Sequence, residues 1–98
     1  MKVVTICGSM RYANEMKSIA EELELKEDYA VLQCIYPSIY KKYTKEEEDI
    51  LDKAHIKKID VSDGIYVVNI NGYIGSSTKK EIEYATKNSK EIIYHEKI

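Results

Sequence analysis

The stretch GIYVVNI, residues 64–70, is the most apolar segment of the chain, and its length and composition predict a buried β-strand. Three other segments are also short and apolar, and they predict three more strands. These segments are KVVTIC at residues 2–7, YAVLQCI at residues 29–35 and EIIYH at residues 91–95. Gly8 ends the first of them, and Pro37 stops the second.

The segments between these strands have the patterns of amphipathic helices. The apolar positions of the first helix, spaced i, i+3, i+4 and i+7, are Met16, Ile19, Ala20 and Leu23. Thr44 and Glu47 fit a capping box, which predicts that a second helix begins there and runs to about Val61. A third helix is expected from about Ser77 to Asn88.

The alternation of strands and helices predicts an α/β fold, in which a parallel sheet carries helices on both faces. Ninety-eight residues are enough for a single domain, so we assign residues 1–98 to one domain. The smallest common strand order for such a sheet is 2-1-3-4. In that order the direction of winding reverses between the first and third strands, and ligands bind at such a reversal.

Composition and charge exclude several classes of protein. Hydrophobic content of 44% and charged content of 33% are ordinary for a soluble globular chain, and a net charge of −2 gives no reason to expect nucleic acid as a partner. The apolar run VVTIC is too short for a signal peptide or a membrane span, which predicts a cytoplasmic protein. Cys7 and Cys34 are then reduced thiols. With two distant histidines they make a poor metal set, so neither a metal nor a cofactor is predicted.

Two loops at the predicted reversal have the composition of an anion site. They are CGSMR at residues 7–11 and NGYIGSST at residues 71–78, and both lead into the start of a helix. Helix N-termini offer free N–H groups, and Arg11 adds a fork suited to a phosphate or a carboxylate. The alternative is that both loops are plain turns with ordinary caps, since neither matches a known phosphate-loop motif. Their coincidence at the reversal favours binding.

Glu81 has two interpretations from its position near the start of the third helix. Thr78 and Glu81 have the spacing of a capping box, in which the glutamate is purely structural. A carboxylate beside an anion site can instead attack the anomeric carbon of a nucleoside and form a covalent glycosyl-enzyme. The spacing alone does not decide between them.

Three segments together resemble a known family. They are ICGSMR at residues 6–11, SDGIYVVNINGYIGSS at residues 62–77 and EIEYA at residues 81–85. Their succession resembles the nucleoside 2-deoxyribosyltransferase superfamily, and CGSMR is similar to its deoxynucleoside 5′-monophosphate N-glycosidase branch. The resemblance implies a small flavodoxin-like three-layer sandwich with Glu81 as the nucleophile. It also implies that Ser9 and either Ser76 or Ser77 hold the 5′-phosphate.

The chain departs from that family's pattern at three positions. Where the family has an aspartate that protonates the leaving base, eight positions before Asp63, this chain has His55. A histidine can donate a proton, but His55 also fits a merely packed helix face. Thr5 stands where the family has a tyrosine in the first strand, and Gly75 and Ser76 stand where the transferases have a further carboxylate. The loss of that carboxylate argues against transfer between free nucleosides, and for a phosphate-bearing substrate or for no catalysis. Asp63 is expected to bind backbone at the strand entry.

The sequence therefore predicts cleavage of the N-glycosidic bond of a nucleoside 5′-monophosphate, by hydrolysis or transfer, with Glu81 and His55 as catalytic residues. The residues predicted to bind the substrate or its phosphate are Gly8, Ser9, Arg11, Asn71, Gly75, Ser76 and Ser77. One alternative is a module that binds a nucleotide derivative without turnover, and another is a domain that handles NAD or ADP-ribose. A homodimer or larger assembly is expected, with the tyrosine-rich segment 36–43 lining the site or near the interface.

Overall fold

Four parallel strands form a single sheet in the computed structural model, which describes residues 1–38 and 40–97. They are β1 (Lys2–Gly8), β2 (Tyr29–Leu32), β3 (Gly64–Val68) and β4 (Glu91–Tyr94). The order across the sheet is β2-β1-β3-β4, so β1 and β3 are the central strands. All five residues of β3 are buried, as its apolar sequence predicts. The predicted parallel sheet and its strand order are confirmed.

Three helices cover the two faces of this sheet. They are α1 (Ala13–Lys26), α2 (Lys45–Asp60) and α3 (Ser76–Lys87). Alternate side chains of a strand point to opposite faces, so β1 and β3 each contribute to two cores. The core on the α1 side contains Val4, Ile6, Met16, Ala20, Leu23, Tyr66 and Val68. The core on the side of α2 and α3 contains Cys7, Ile59, Ile65, Val67 and Ala85.

These layers give the predicted three-layer α/β architecture of a small flavodoxin-like fold. Within the described part of the chain, no helix is long and apolar enough to cross a membrane.

The second and third strands end earlier than their apolar sequences predict. β2 stops at Leu32, and the next carbonyl, of Gln33, accepts a hydrogen bond from Lys58 Nζ at 2.6 Å instead of continuing the strand pairing. β3 stops at Val68 because the Asn69 side chain binds both the carbonyl and the N–H of Glu96. Asn69 Nδ2 donates to the Glu96 carbonyl at 2.9 Å, and Asn69 Oδ1 accepts from the Glu96 N–H at 2.7 Å. A polar side chain at the strand end thus replaces further ladder bonds.

Two local predictions are confirmed by hydrogen bonds. The Thr44 hydroxyl accepts from the Glu47 N–H at 3.1 Å, and the Glu47 carboxylate accepts from the Thr44 N–H at 3.0 Å, which is a complete capping box at the start of α2. Asp63 joins the beginnings of the two central strands. Its carboxylate accepts from the Val3 N–H at 2.8 Å, and its own N–H donates to the Val3 carbonyl at 2.8 Å.

Gly64 begins β3 at a point where the neighbouring strand lies too close for a side chain. A Cβ at this position would lie 2.5 Å from the Glu91 carbonyl oxygen, which belongs to the backbone of β4. We expect Gly64→Ala to lower the free energy of unfolding by about 2–3 kcal/mol or more, because two paired strands would have to separate. Chemical denaturation measures this change.

Gly75→Ala is the matched control for that prediction. A Cβ there meets only Tyr73, at 3.7 Å or more, so the loss should stay below about 1 kcal/mol. Equal stability of Gly64→Ala and the wild type would contradict the close approach of β3 and β4.

Candidate active site

A cavity of about 400 Å³ opens at the carboxyl end of β1, beside the segment that follows β3. Its walls include Gly8, which ends β1, Ser9, which follows it, and the residues from Gly75, the N-cap of α3, to Thr78 in its first turn. This is the point at which the winding of the sheet reverses, as the strand order predicts. The volume lies within the range of roughly 300–1,000 Å³ that is usual for small-molecule sites.

The start of α3 forms a polar part of the cavity wall. Gly75 is the N-cap residue and has no side chain to accept from the first N–H groups of the helix. Ser76 and Ser77 follow, and both line the cavity with exposed side chains. An uncapped helix N-terminus carries a partial positive charge, and with two hydroxyls it forms a suitable site for a phosphate.

Ser9, in the loop after β1, also lines the cavity. Its side-chain oxygen accepts a hydrogen bond from the Arg11 N–H at 3.2 Å, which begins a short 3₁₀ turn at Met10–Tyr12. The hydroxyl hydrogen is still able to donate to a ligand.

Two residues predicted to bind substrate lie outside the cavity wall. The Arg11 guanidinium stacks on the ring of Tyr73, 4.0 Å from its centre. Of these two residues, Tyr73 lines the cavity and Arg11 does not. Asn71 has a left-handed backbone (φ 55°) in a 3₁₀ turn at Ile70–Gly72, and its N–H donates to the Glu96 carboxylate at 3.1 Å. The structure thus brings Gly8, Ser9, Gly75, Ser76 and Ser77 together but holds Arg11 and Asn71 apart from them.

Glu81 does not cap α3. The helix begins at Ser76 after Gly75, so Thr78 is an internal, buried residue and Glu81 lies in the second turn. The capping-box alternative is therefore wrong. The Glu81 side chain lines the cavity and is only 20% exposed.

His55 and Cys7 approach Glu81 from two other elements. His55 Nε2, on α2, lies 3.8 Å from Glu81 Oε2 and 3.5 Å from Cys7 Sγ, at the end of β1. All three residues line the cavity, and their ligand atoms lie within 4.8 Å of one another. Nδ1 of His55 is buried and has no hydrogen-bond partner among the described residues. His55 is thus buried in the packed face of α2, and its ring lies beside Glu81, the candidate nucleophile.

Burial shifts the acid–base properties of all three groups. It raises the pKa of Glu81 to about 7, with a smaller contribution from the negative charge of Asp52, while the Cys7 thiol acts in the opposite direction. Burial lowers the pKa of His55, and nearby Lys58 does the same, whereas Asp52 opposes them. The pKa of Cys7 is raised well above its ordinary value by burial and by Glu81. Both protonation states of Glu81 are therefore populated near neutral pH.

Several cavity residues were not found by sequence reasoning. α2 contributes Glu48, Leu51 and Asp52, and Asp52 lies one helical turn before His55 on the same side of the helix. The spacing Asp52-x-x-His55 is the sequence signal that could have indicated this pair. From the segment 36–43, Pro37 and Tyr43 line the cavity, and residue 39 lies outside the described residues. The role of this segment at a binding site or an interface stays a prediction.

Comparison with known proteins gives no match, so the function of the cavity is inferred from its own residues. No protein-family model, curated protein or solved structure matches the chain. The resemblance to nucleoside 2-deoxyribosyltransferases rests on the three segments quoted above and stays a prediction. The buried Glu81 carboxylate in a cavity beside an uncapped helix N-terminus is a separate, structural observation.

The burial of Glu81 predicts a pH-dependent stability. An unfolded glutamate ionises near its ordinary value of 4.5, but folded Glu81 keeps its proton up to about pH 7. The folded state therefore binds more protons between these values, and its stability falls as the pH rises through them. A difference of this size is worth up to about 3 kcal/mol. Glu81→Gln removes the ionisation, so its stability relative to wild type should increase by up to that amount between about pH 4 and about pH 8.

Thermal and chemical denaturation in the presence of a chelator would measure this difference. Glu83→Gln is the matched control, since Glu83 lies on the same helix and is exposed. Parallel stability profiles for Glu81→Gln and wild type would show that the Glu81 carboxylate is not desolvated in the folded protein.

Proposed function

We propose that the protein cleaves the N-glycosidic bond of a nucleoside 5′-monophosphate, with Glu81 as the nucleophile. The observation that carries this proposal is a desolvated carboxylate on the wall of a cavity that an uncapped helix N-terminus also lines. A sugar phosphate needs both features: positive potential for its phosphate, and a negative group close to its anomeric carbon.

The phosphate is assigned to the start of α3. The first N–H groups after Gly75 and the hydroxyls of Ser76 and Ser77 supply donors, and the Ser9 hydroxyl adds one from the loop after β1. Donors held by backbone geometry bind a phosphate without the side-chain ordering that a flexible lysine requires.

The base is assigned to the apolar part of the wall. Ile35, Pro37 and Leu51 contribute aliphatic surface there, and Tyr43 contributes an aromatic ring. A planar base buries its faces against such side chains. Ile35, Pro37 and Tyr43 come from the segment before α2. Leu51 lies on α2, the helix that also carries His55.

The chemistry follows from the position of the carboxylate. Glu81 attacks the anomeric carbon while the bond from that carbon to the base nitrogen breaks, and the departing base takes both electrons of that bond together with a proton. Water then attacks the glycosyl-enzyme ester, which releases the sugar phosphate and restores Glu81. We assign the proton donation to His55. Burial and the charge of Lys58 lower its pKa, and the charge of Asp52 opposes them.

Burial of Glu81 suits this reaction. A carboxylate that is poorly hydrated interacts strongly with the positive charge that develops on the sugar in the transition state. The same burial that destabilises the ionised ground state thus favours the reacting state.

Replacement of Glu81 tests the proposal directly. We expect wild-type protein, kept in a chelator, to release free base from one or more nucleoside 5′-monophosphates, and Glu81→Gln to reduce the rate by about 1,000-fold or more because the nucleophile is lost. Chromatography of incubations with nucleosides, nucleoside monophosphates and NAD would measure the release.

Glu83→Gln again serves as the control and should retain the wild-type rate. Equal rates for Glu81→Gln and wild type would refute the mechanism. Release of nicotinamide from NAD, with no base freed from monophosphates, would instead favour an NAD-handling domain.

The pH dependence of kcat/KM tests the pairing of Glu81 with His55. Protonated Glu81 cannot attack at acidic pH, and neutral His55 cannot donate at alkaline pH, so the profile should be bell-shaped with an optimum near or slightly below pH 7. The charge of Asp52 raises the pKa of both groups. Asp52→Asn should therefore move both limbs to lower pH.

Asp49→Asn is the control for this shift, because Asp49 lies on α2 in an exposed ion pair with Lys45 and does not line the cavity. His55→Gln should abolish the alkaline limb and leave a lower activity that increases as Glu81 ionises. A shift of the Asp52→Asn profile to higher pH would contradict the assignment.

A second candidate is a module that binds a nucleotide without turnover. The lowered pKa of His55 favours this alternative, because an imidazole that is neutral at pH 7 is a weak proton donor. Stoichiometric binding of a nucleoside monophosphate by calorimetry, with no base released over hours, would establish it in place of the enzyme.

A further inference from the structure

The three side chains at the inner end of the cavity are of the types that bind transition metals. Cys7 Sγ lies 3.5 Å from His55 Nε2, and this nitrogen lies 3.8 Å from Glu81 Oε2. The three atoms come from β1, α2 and α3 and lie within 4.8 Å of one another. The proposed glycosidase reaction uses the carboxylate and the imidazole but gives no role to the thiol.

The spacing of these atoms fits a tetrahedral zinc ion. Zinc lies about 2.3 Å from a cysteine sulfur and about 2.0–2.2 Å from an imidazole nitrogen or a carboxylate oxygen. Two ligands of a tetrahedron with such bonds lie about 3.3–3.6 Å apart. The separations of 3.5 Å and 3.8 Å from His55 Nε2 are close to these values, and the Cys7 sulfur and the Glu81 carboxylate lie within 4.8 Å of each other. Binding would therefore draw the Glu81 carboxylate towards the sulfur. We propose that Cys7, His55 and Glu81 bind a zinc-class divalent cation at the base of the cavity.

The donor set selects the class of metal. Thiolate and imidazole ligands favour zinc and its neighbours among the transition metals, whereas magnesium and calcium require mostly oxygen ligands. Cysteine must lose its proton to bind, and a cation beside the thiolate and the carboxylate stabilises both anions. Because the three ligands line the cavity, a fourth coordination position faces its interior and is available to water.

His55 is held in an orientation that suits such a site. Its Nε2 atom faces both Cys7 and Glu81. The two ring nitrogens therefore do not bind one partner each, as they would in a proton relay. When Nε2 binds a metal, the proton resides on Nδ1, which has no partner among the described residues.

Zinc binding has a consequence for the proposed reaction. An ion on Glu81 withholds the carboxylate from the anomeric carbon, so zinc acts as an inhibitor that competes with the nucleotide. The binding itself rests on the three ligand atoms alone and does not depend on glycosidase activity.

Calorimetry of reduced, metal-free protein with zinc chloride tests the proposal. We expect one zinc ion per chain with micromolar or tighter affinity, and no comparable binding of magnesium chloride. Cobalt chloride, as a spectroscopic substitute, should give an absorption band from charge transfer between thiolate and cobalt. Absence of zinc binding at micromolar concentrations would overturn the proposal.

Variants assign the ligands. Cys7→Ser and Glu81→Gln should each weaken zinc binding by at least about tenfold. Cys34→Ser is the matched control, because Cys34 lines the same cavity but its sulfur is not one of the three ligand atoms that lie within 4.8 Å of one another. It should retain both the affinity and the cobalt absorption band. Unchanged affinity in Cys7→Ser, or loss of the band in Cys34→Ser, would refute the assignment.

Cys7 is fully buried, and its replacement by serine can unfold the protein. In that case Glu81→Gln decides, since the Glu81 side chain is partly exposed and glutamine has nearly the same shape as glutamate. Base release is measured in a chelator and zinc affinity without nucleotide, so failure of one proposal is distinguishable from failure of the other.

Discussion

The parallel pairing of β1 with β3 is the constraint on which the rest of the structure depends. The pairs run from Val4 with Gly64 to Gly8 with Val68, so the two strands end together at one edge of the sheet. Asp63 sets this register through its two hydrogen bonds to Val3. The loops that leave the strands diverge to helices on opposite faces, and the gap between them is the cavity.

The same geometry explains why a carboxylate is buried at this edge. The inward face of α3 packs on the sheet through Ala85, and Glu81 lies one turn earlier on the same side of the helix, beyond the end of the apolar core. It therefore points at the end of β1, where Cys7 lies, and at α2, which carries His55. A fold optimised only for stability would place an apolar side chain there, and such departures are typical of functional sites.

The two proposals for this site share their residues but depend on different properties of them. Bond cleavage depends on a desolvated carboxylate and on the phosphate-binding donors that begin at Gly75. Metal binding depends on the convergence of three ligand atoms, including the Cys7 sulfur, and does not involve the start of α3. Free carboxylate and metal-bound carboxylate are mutually exclusive states of Glu81, so metal availability would control any activity of the site.

The sequence by itself determined the type and order of the main strands and helices, the α/β class and part of the loops around the cavity. Helix caps such as Thr44 with Glu47, and the buried strand after Gly64, depend on neighbours a few residues away, so local patterns are sufficient to predict them. Only the tertiary structure decided that Cys7 and His55, which are 48 residues apart, touch each other beside Glu81. It also turned Arg11 onto Tyr73, because an exposed arginine takes whichever aromatic or anionic partner the folded surface provides.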